Sequence, residues 1–177
     1  MKPLDLIHKY FKDDYKNEEV LVFHLKAVAK KSLEMAKRVK EPIDFKFLEE
    51  AALLHDIAVS RVQFGEDKNP KKPPYIAHGY LGRQILEKEN LPRHALVAER
   101  HVGSGLTKEE AKMLGLPERE MLPVTIEEKI ICVADKFYSK SHKREEDIQE
   151  IRDEFRGYGG NALDRFDRYL KELNIEY

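Results

Sequence analysis

Apolar residues recur at helical spacing through most of the chain, and the breaks between these stretches fall at recognisable caps and prolines. Lys2 to Phe11 predicts a short first helix. The run NEEVLVFHLKAVAKKSLEMAKRV follows, with Asn17 as its N-cap and Glu18 and Glu19 complementing the dipole in the first turn. Pro42 interrupts, and Asp44 caps a third helix from about Phe45 to Val59. Residues 60–77 hold three prolines and a glycine and predict a long loop, a feature that is often functional in a compact domain. Helical texture resumes at HGYLGRQILEKEN. Pro92 then opens PRHALVAERHV, which Gly103 ends. Two capping boxes, Thr107 with Glu110 and Thr125 with Glu128, start TKEEAKML and EEKIICVADKFYSK. The β-branched IICV favours a strand by itself, but the cap and charged flanks favour helix. Gly157, Gly159 and Gly160 mark a turn before a last amphipathic helix, NALDRFDRYLKEL. The pattern predicts an all-α fold, a single-domain helical bundle over residues 1–177 with one long loop.

Composition narrows the class. Charged residues make up 37% of 177 and the mean hydropathy is −0.63, so a water-exposed globular chain is expected, with no membrane association. The N-terminal MKPLDLIHKYFKDD has scattered charges and does not read as a signal peptide, so a cytoplasmic location is expected. The single cysteine, Cys132, excludes an internal disulfide and reads as a buried, inert thiol. Thirty-two basic residues against 33 acidic ones give a net charge of −1, which argues against general nucleic-acid binding. Oligomeric state stays open, and a homo-oligomer is compatible with the sequence.

Candidate chemistry begins with EEAALLHDIAVSR, residues 49–61. At about 100° per residue, Leu48, Ala51, Ala52 and Val59 share a face with His55, and Asp56 stands one step around. Burying a lone carboxylate costs several kcal/mol, so Asp56 needs a partner. His24 points inward among Val20, Leu21, Ala27, Val28, Met35 and Val39, and Asp135 ends the apolar IICVA. Each has an ordinary explanation taken singly: a core histidine bonded to a carbonyl, a private His55–Asp56 bond, or Asp135 paired with Lys136 or Arg144. Three helices each offering an ionisable group inward are better explained by a buried metal ion, which neutralises carboxylate and accepts imidazole nitrogen.

The order His24 … His55-Asp56 … Asp135 resembles the HD superfamily of metal-dependent phosphohydrolases. AHGYLGRQIL is similar to the segment of its two-metal HDIG and HD-GYP branches that adds a histidine, here His78. VAERHVGSGLTKEEAKMLGLP with TIEEKIICVADK resembles a small HDIG group of unassigned substrate, in which His101 is the sixth ligand. The likeness runs from His24 to Lys136. It implies an HD domain whose motif core spans about residues 20–140, with 141–177 as a C-terminal helical extension. Ala58 stands where HDIG has glycine, a position that is not a ligand. His78-Gly79-Tyr80-Leu81 lacks the Gly-Tyr-Pro signature, so cyclic dinucleotide hydrolysis is not expected.

The resemblance implies two divalent transition metal ions, iron, manganese, cobalt or nickel. One would be held by His24, His55, Asp56 and Asp135, the other by His78 and His101 with Asp56 bridging. The implied activity is hydrolysis of a phosphate ester or anhydride by a metal-activated hydroxide, with a small phosphorylated molecule, a nucleotide, as substrate. Dinucleoside polyphosphates are one candidate within that class. Lys136 and Arg61 are the expected cationic clamp. Lys68, Lys71 and Lys72 either cover the mouth of the site or are simply solvated. Gly103, Gly105 and Thr107 offer an anion position or a mere turn. His8 and His142 read as surface residues, His94 as a spare ligand, and Tyr75, Tyr80 and Tyr138 as stacking candidates. Two rivals share the ligand order: a di-iron oxygenase, and a nucleotide-sensing domain without turnover.

Overall fold

A computed structural model of the chain describes residues 2–11, 15–65, 69–140 and 144–176, and of residues 15–17 the backbone alone. Among the described residues nine α-helices form and β structure is limited to two isolated bridges. The helices are α1 (Pro3–Phe11), α2 (Tyr15–Ala36), α3 (Phe45–Ala52), α4 (His78–Lys88), α5 (Pro92–Arg100), α6 (Lys108–Met113), α7 (Ile126–Lys136), α8 (Ile148–Tyr158) and α9 (Ala162–Glu172). None is long and apolar enough to cross a membrane.

The centre of the bundle is α7. Ile130, Ile131, Cys132, Val133 and Ala134 are all buried, so this helix is apolar on every side. A helix of that kind needs neighbours all round, and α2, α3, α5 and α9 supply them. Thr125 caps it through a reciprocal box with Glu128, as the sequence predicts, which settles IICV as helix. The core runs on either side: Val28, Leu48, Phe137, Phe155 and Phe166 belong to one apolar cluster, and Ile7, Leu25, Ile57 and Leu86 to another.

Three elements depart from the sequence pattern. The third helix stops at Ala52 instead of Val59. His55 Nδ1 donates to Ala52 O at 2.7 Å, the carbonyl that a continuing helix would offer to the Asp56 N–H. Residues 53–58 therefore turn through tighter bonds, Leu54 N→Ala51 O and Ile57 N→Leu54 O, both 3.1 Å. The second helix begins at Tyr15, two residues before Asn17. Finally, α8 is an element the hydrophobic pattern did not separate from its surroundings; Asp147 and Glu150 give it a capping box of its own.

α4 and α5 lie against each other with glycine at the contact. A Cβ at Gly79 would come within 3.1 Å of Ala98 O and 2.6 Å of Val102 Cγ2. This close approach brings His78, the first residue of α4, beside His101, the C-cap of α5. A buried carboxylate locks the pair: Glu99 takes Arg83 Nη1 at 2.5 Å and also the guanidinium of Arg119.

Candidate metal centre

All six predicted ligands are buried, and they converge. His24 Nε2 lies 3.0 Å from Asp135 Oδ1 and 3.4 Å from Asp56 Oδ2. His55 Nε2 lies 3.3 Å from each of the same two oxygens. On the other side of the Asp56 carboxylate, Oδ1 is 3.3 Å from His78 Nε2 and 3.4 Å from His101 Nε2. One carboxylate thus touches two groups of donors: His24, His55, Asp56 and Asp135 in one, Asp56, His78 and His101 in the other.

Backbone geometry fixes which ring nitrogen faces inward. His55, His78 and His101 each donate from Nδ1 to the carbonyl three residues earlier, Ala52 O at 2.7 Å, Tyr75 O at 2.6 Å and Ala98 O at 2.8 Å. A carbonyl only accepts, so the proton sits on Nδ1 and Nε2 is left to face the centre. His78 Nε2 and His101 Nε2 are then two lone pairs 3.1 Å apart, beside a carboxylate oxygen. Burial holds both rings neutral, His78 down to about 3 and His101 below its ordinary value. Three electron-pair donors facing one another without a proton between them form a set that suits a cation. Asp56 Oδ1, Asp135 Oδ1 and His24 Nδ1, all buried, have no hydrogen-bond partner among the described residues. The residues present therefore fit a divalent metal.

Burial would lower His55, but Asp56 and Asp135 overcome it and raise the imidazole to about 9. Burial likewise pushes the two carboxyls up, and the neighbouring cations win: Lys140 and His55 hold Asp56, and Lys136 and Lys140 hold Asp135, well below the ordinary range. Lys136 Nζ is 2.5 Å from Asp135 Oδ2, and Lys140 Nζ is 2.6 Å from Asp56 Oδ2.

The cluster opens into a cleft of about 1000 Å³. Its walls include His78, His101, Asp135, Lys136 and Lys140, with Phe64, Tyr75, Met113 and Tyr158 on the apolar side. Among its described residues the 60–77 loop contributes Gln63, Phe64, Gly65, Tyr75 and Ile76 to this wall, whereas Lys72 Nζ turns back to Ser60 O at 3.0 Å and Lys71 lies outside the lining, as Tyr80 does. Lys68 and His142 fall outside the described residues.

Some expected residues stand elsewhere. Arg61 is exposed, its guanidinium 5.5 Å from the Tyr10 ring on α1, and it does not line the cleft. Arg61 is the last residue of the 3₁₀ turn Val59–Arg61, and that turn sets its side chain against α1. His94 packs edge-on against Phe47 and stands 3.7 Å from Glu50. The anion position at Thr107 is filled internally, since Thr107 N and Lys108 N already donate to Glu110 and Glu120. His8 bonds Glu18 at the surface, and Cys132 is buried with its thiol pushed up to about 12. The sequence reading missed Lys140. Its signal was there in KFYSK just beyond Asp135, but the helix expected across this segment would have pointed Lys140 along the same face as Lys136. Instead α7 ends at Lys136 and the chain turns, which lets Lys140 reach Asp56.

A helical bundle enclosing two buried His/Asp groups that share a carboxylate is the architecture of a divalent-metal protein. The chain belongs to the HD-domain family: the family profile, described as HD domain, matches residues 21–140. HD domains bind divalent metals, and the site fits a metal-dependent hydrolase. Over 173 residues, 97% of its length, the chain is 33% identical to a protein of Thermoplasma volcanium named tRNA (cytidine(56)-2'-O)-methyltransferase. It is 40% identical over 121 residues, 66% of its length, to an uncharacterized protein of Methanocaldococcus jannaschii. A protein of Picrophilus torridus with the same methyltransferase name is 36% identical over 123 residues, 69% of this chain. The chain spans 45%, 65% and 32% of the lengths of these three relatives in turn. No solved structure matches.

Proposed function

We propose that the protein is a two-metal phosphohydrolase that cleaves a phosphate ester or anhydride, with a nucleotide as the favoured substrate class. The observation that carries this reading is the pair of unprotonated His78 and His101 nitrogens 3.1 Å apart across from Asp56, whose second oxygen faces His24 and His55. In this reading His24, His55, Asp56 and Asp135 hold one ion, His78 and His101 hold the other, and Asp56 bridges. The mixed imidazole and carboxylate set suits iron, manganese, cobalt or nickel better than magnesium. Such a pair, when bound, lowers the pKa of water and neutralises charge on phosphoryl oxygens. The chain's own part is to hold the ligands rigid through the three Nδ1–carbonyl bonds, to exclude water from the carboxylates by burial, and to place Lys136 at the inner wall of the cleft.

A second reading concerns what carries the phosphate. Two relatives are named as tRNA methyltransferases, which makes RNA the alternative to a free nucleotide and sets a limit on the argument from net charge. The test is elemental analysis of the purified protein, then phosphate release under argon from mononucleotides, dinucleoside polyphosphates and phosphate-terminated RNA. Release that follows metal content supports hydrolysis, and the best substrate separates the two readings. Metal-free protein, or oxygen consumption without phosphate release, would overturn it.

A further inference from the structure

Asp56 and Asp135 each hold one lysine, yet the two lysines touch different kinds of oxygen. Lys136 Nζ sits on Asp135 Oδ2, and the other oxygen of that carboxylate, Oδ1, faces His24 and His55. Lys136 therefore grips the back of its carboxylate and aims the front. Lys140 Nζ sits on Asp56 Oδ2, the same oxygen that lies 3.4 Å from His24 Nε2 and 3.3 Å from His55 Nε2. It stands where a cation shared by those donors would draw its negative charge. Resting on the metal reading above, we propose that Lys140 is an exchangeable counter-cation: it neutralises Asp56 before metal arrives, is displaced from Oδ2 by metal, and then presents its ammonium to the substrate's phosphoryl group in the cleft.

The argument is one of charge and reach. Each of the two carboxylates already has an ammonium group against it, so neither is left as an uncompensated buried charge without metal. A divalent ion drawing on Asp56 Oδ2 removes the reason for Lys140 to stay there and adds repulsion between like charges. Lys140 has room to leave, since it lies beyond the end of α7, on the wall of the cleft, 5.7 Å from the Tyr75 ring. Lys136, the last residue of α7 and bonded to the outward oxygen, keeps its contact. Metal and phosphate binding are then coupled through a single side chain, and the coupling is reciprocal.

Opposite signs from two lysines four residues apart make the test sharp. Mn(II) affinity is measured by competition with a chelator on the whole chain, and inorganic phosphate binding on the Mn(II)-loaded protein. Lys140→Met should raise Mn(II) affinity about tenfold and weaken phosphate binding by a similar factor, whereas Lys136→Met should lower Mn(II) affinity about tenfold. Lys140→Arg keeps the charge and should stay within about twofold of the parent in both, which guards against a variant that merely misfolds. Unchanged or weaker Mn(II) binding in Lys140→Met, or both methionine variants moving in one direction, would overturn the exchange role while leaving the metal reading intact. A parent protein that binds no Mn(II), cobalt, iron or nickel would sink both.

Discussion

Removing the Asp56 carboxylate takes one oxygen from each donor group, whereas removing His101 takes a nitrogen from one group only. Asp56→Ala should therefore lose both metals and His101→Ala should lose one, as metal-to-protein ratios would show; full loading of Asp56→Ala would contradict the bridging role. The same asymmetry explains what could be read from the sequence at this scale. His24, His55, Asp56 and Asp135 stood out because each is an ionisable group in apolar surroundings, and apolar faces must meet; His78 and His101 came from the family resemblance alone. Lys140 and Arg61 could not be sorted in this way. A long cation near the surface reaches several partners, and its choice depends on where the backbone turns. The 3₁₀ turn sends Arg61 to Tyr10, and the end of α7 sends Lys140 to Asp56.

Between the residues and the whole stand the helix contacts that set ligand spacing. Gly79 is the tightest of these: a side chain there meets Ala98 O, Glu99 O and Val102, all next to His101. Gly79→Val should cost about 1–3 kcal/mol through overpacking, more than any helix-propensity gain returns. It should also weaken the His78/His101 metal position before the His24/His55 one, as thermal unfolding and metal titration of the variant would reveal. Equal weakening at both positions would mean the strain spreads through the bundle and does not stay between α4 and α5. Three helix starts were legible because caps announce them: Asp44, Thr107 and Thr125 each accept from a backbone N–H at the helix start they predicted. The end of α3 was not legible. No rule of local propensity stops a helix at Ala52. The break comes from His55 taking a carbonyl that the helix would have used, a bond made because the ring's other nitrogen is required at the centre.

For the molecule as a whole, the site sets how stability depends on pH, and metal changes that dependence. In the metal-free protein His55 is raised to about 9, so its stabilising contribution is complete below about pH 6.5 and is lost as pH rises through 9. His78 is lowered to about 3, so the folded state resists a proton that the unfolded chain accepts, and stability falls as pH drops below about 6.5. Asp56 and Asp135, held low, add a further loss only in stronger acid. The chelated protein should thus be most stable near neutral pH. Metal requires His55 without its second proton, so bound metal replaces the contribution that His55 loses on the alkaline side. The gap in unfolding temperature between Mn(II)-loaded and chelated protein should widen steadily from about pH 6.5 to 9. A gap that stays constant over that range would mean the His55 proton is not in competition with the ion, and that His55 is held by Asp56 and Asp135 as a structural ion pair instead.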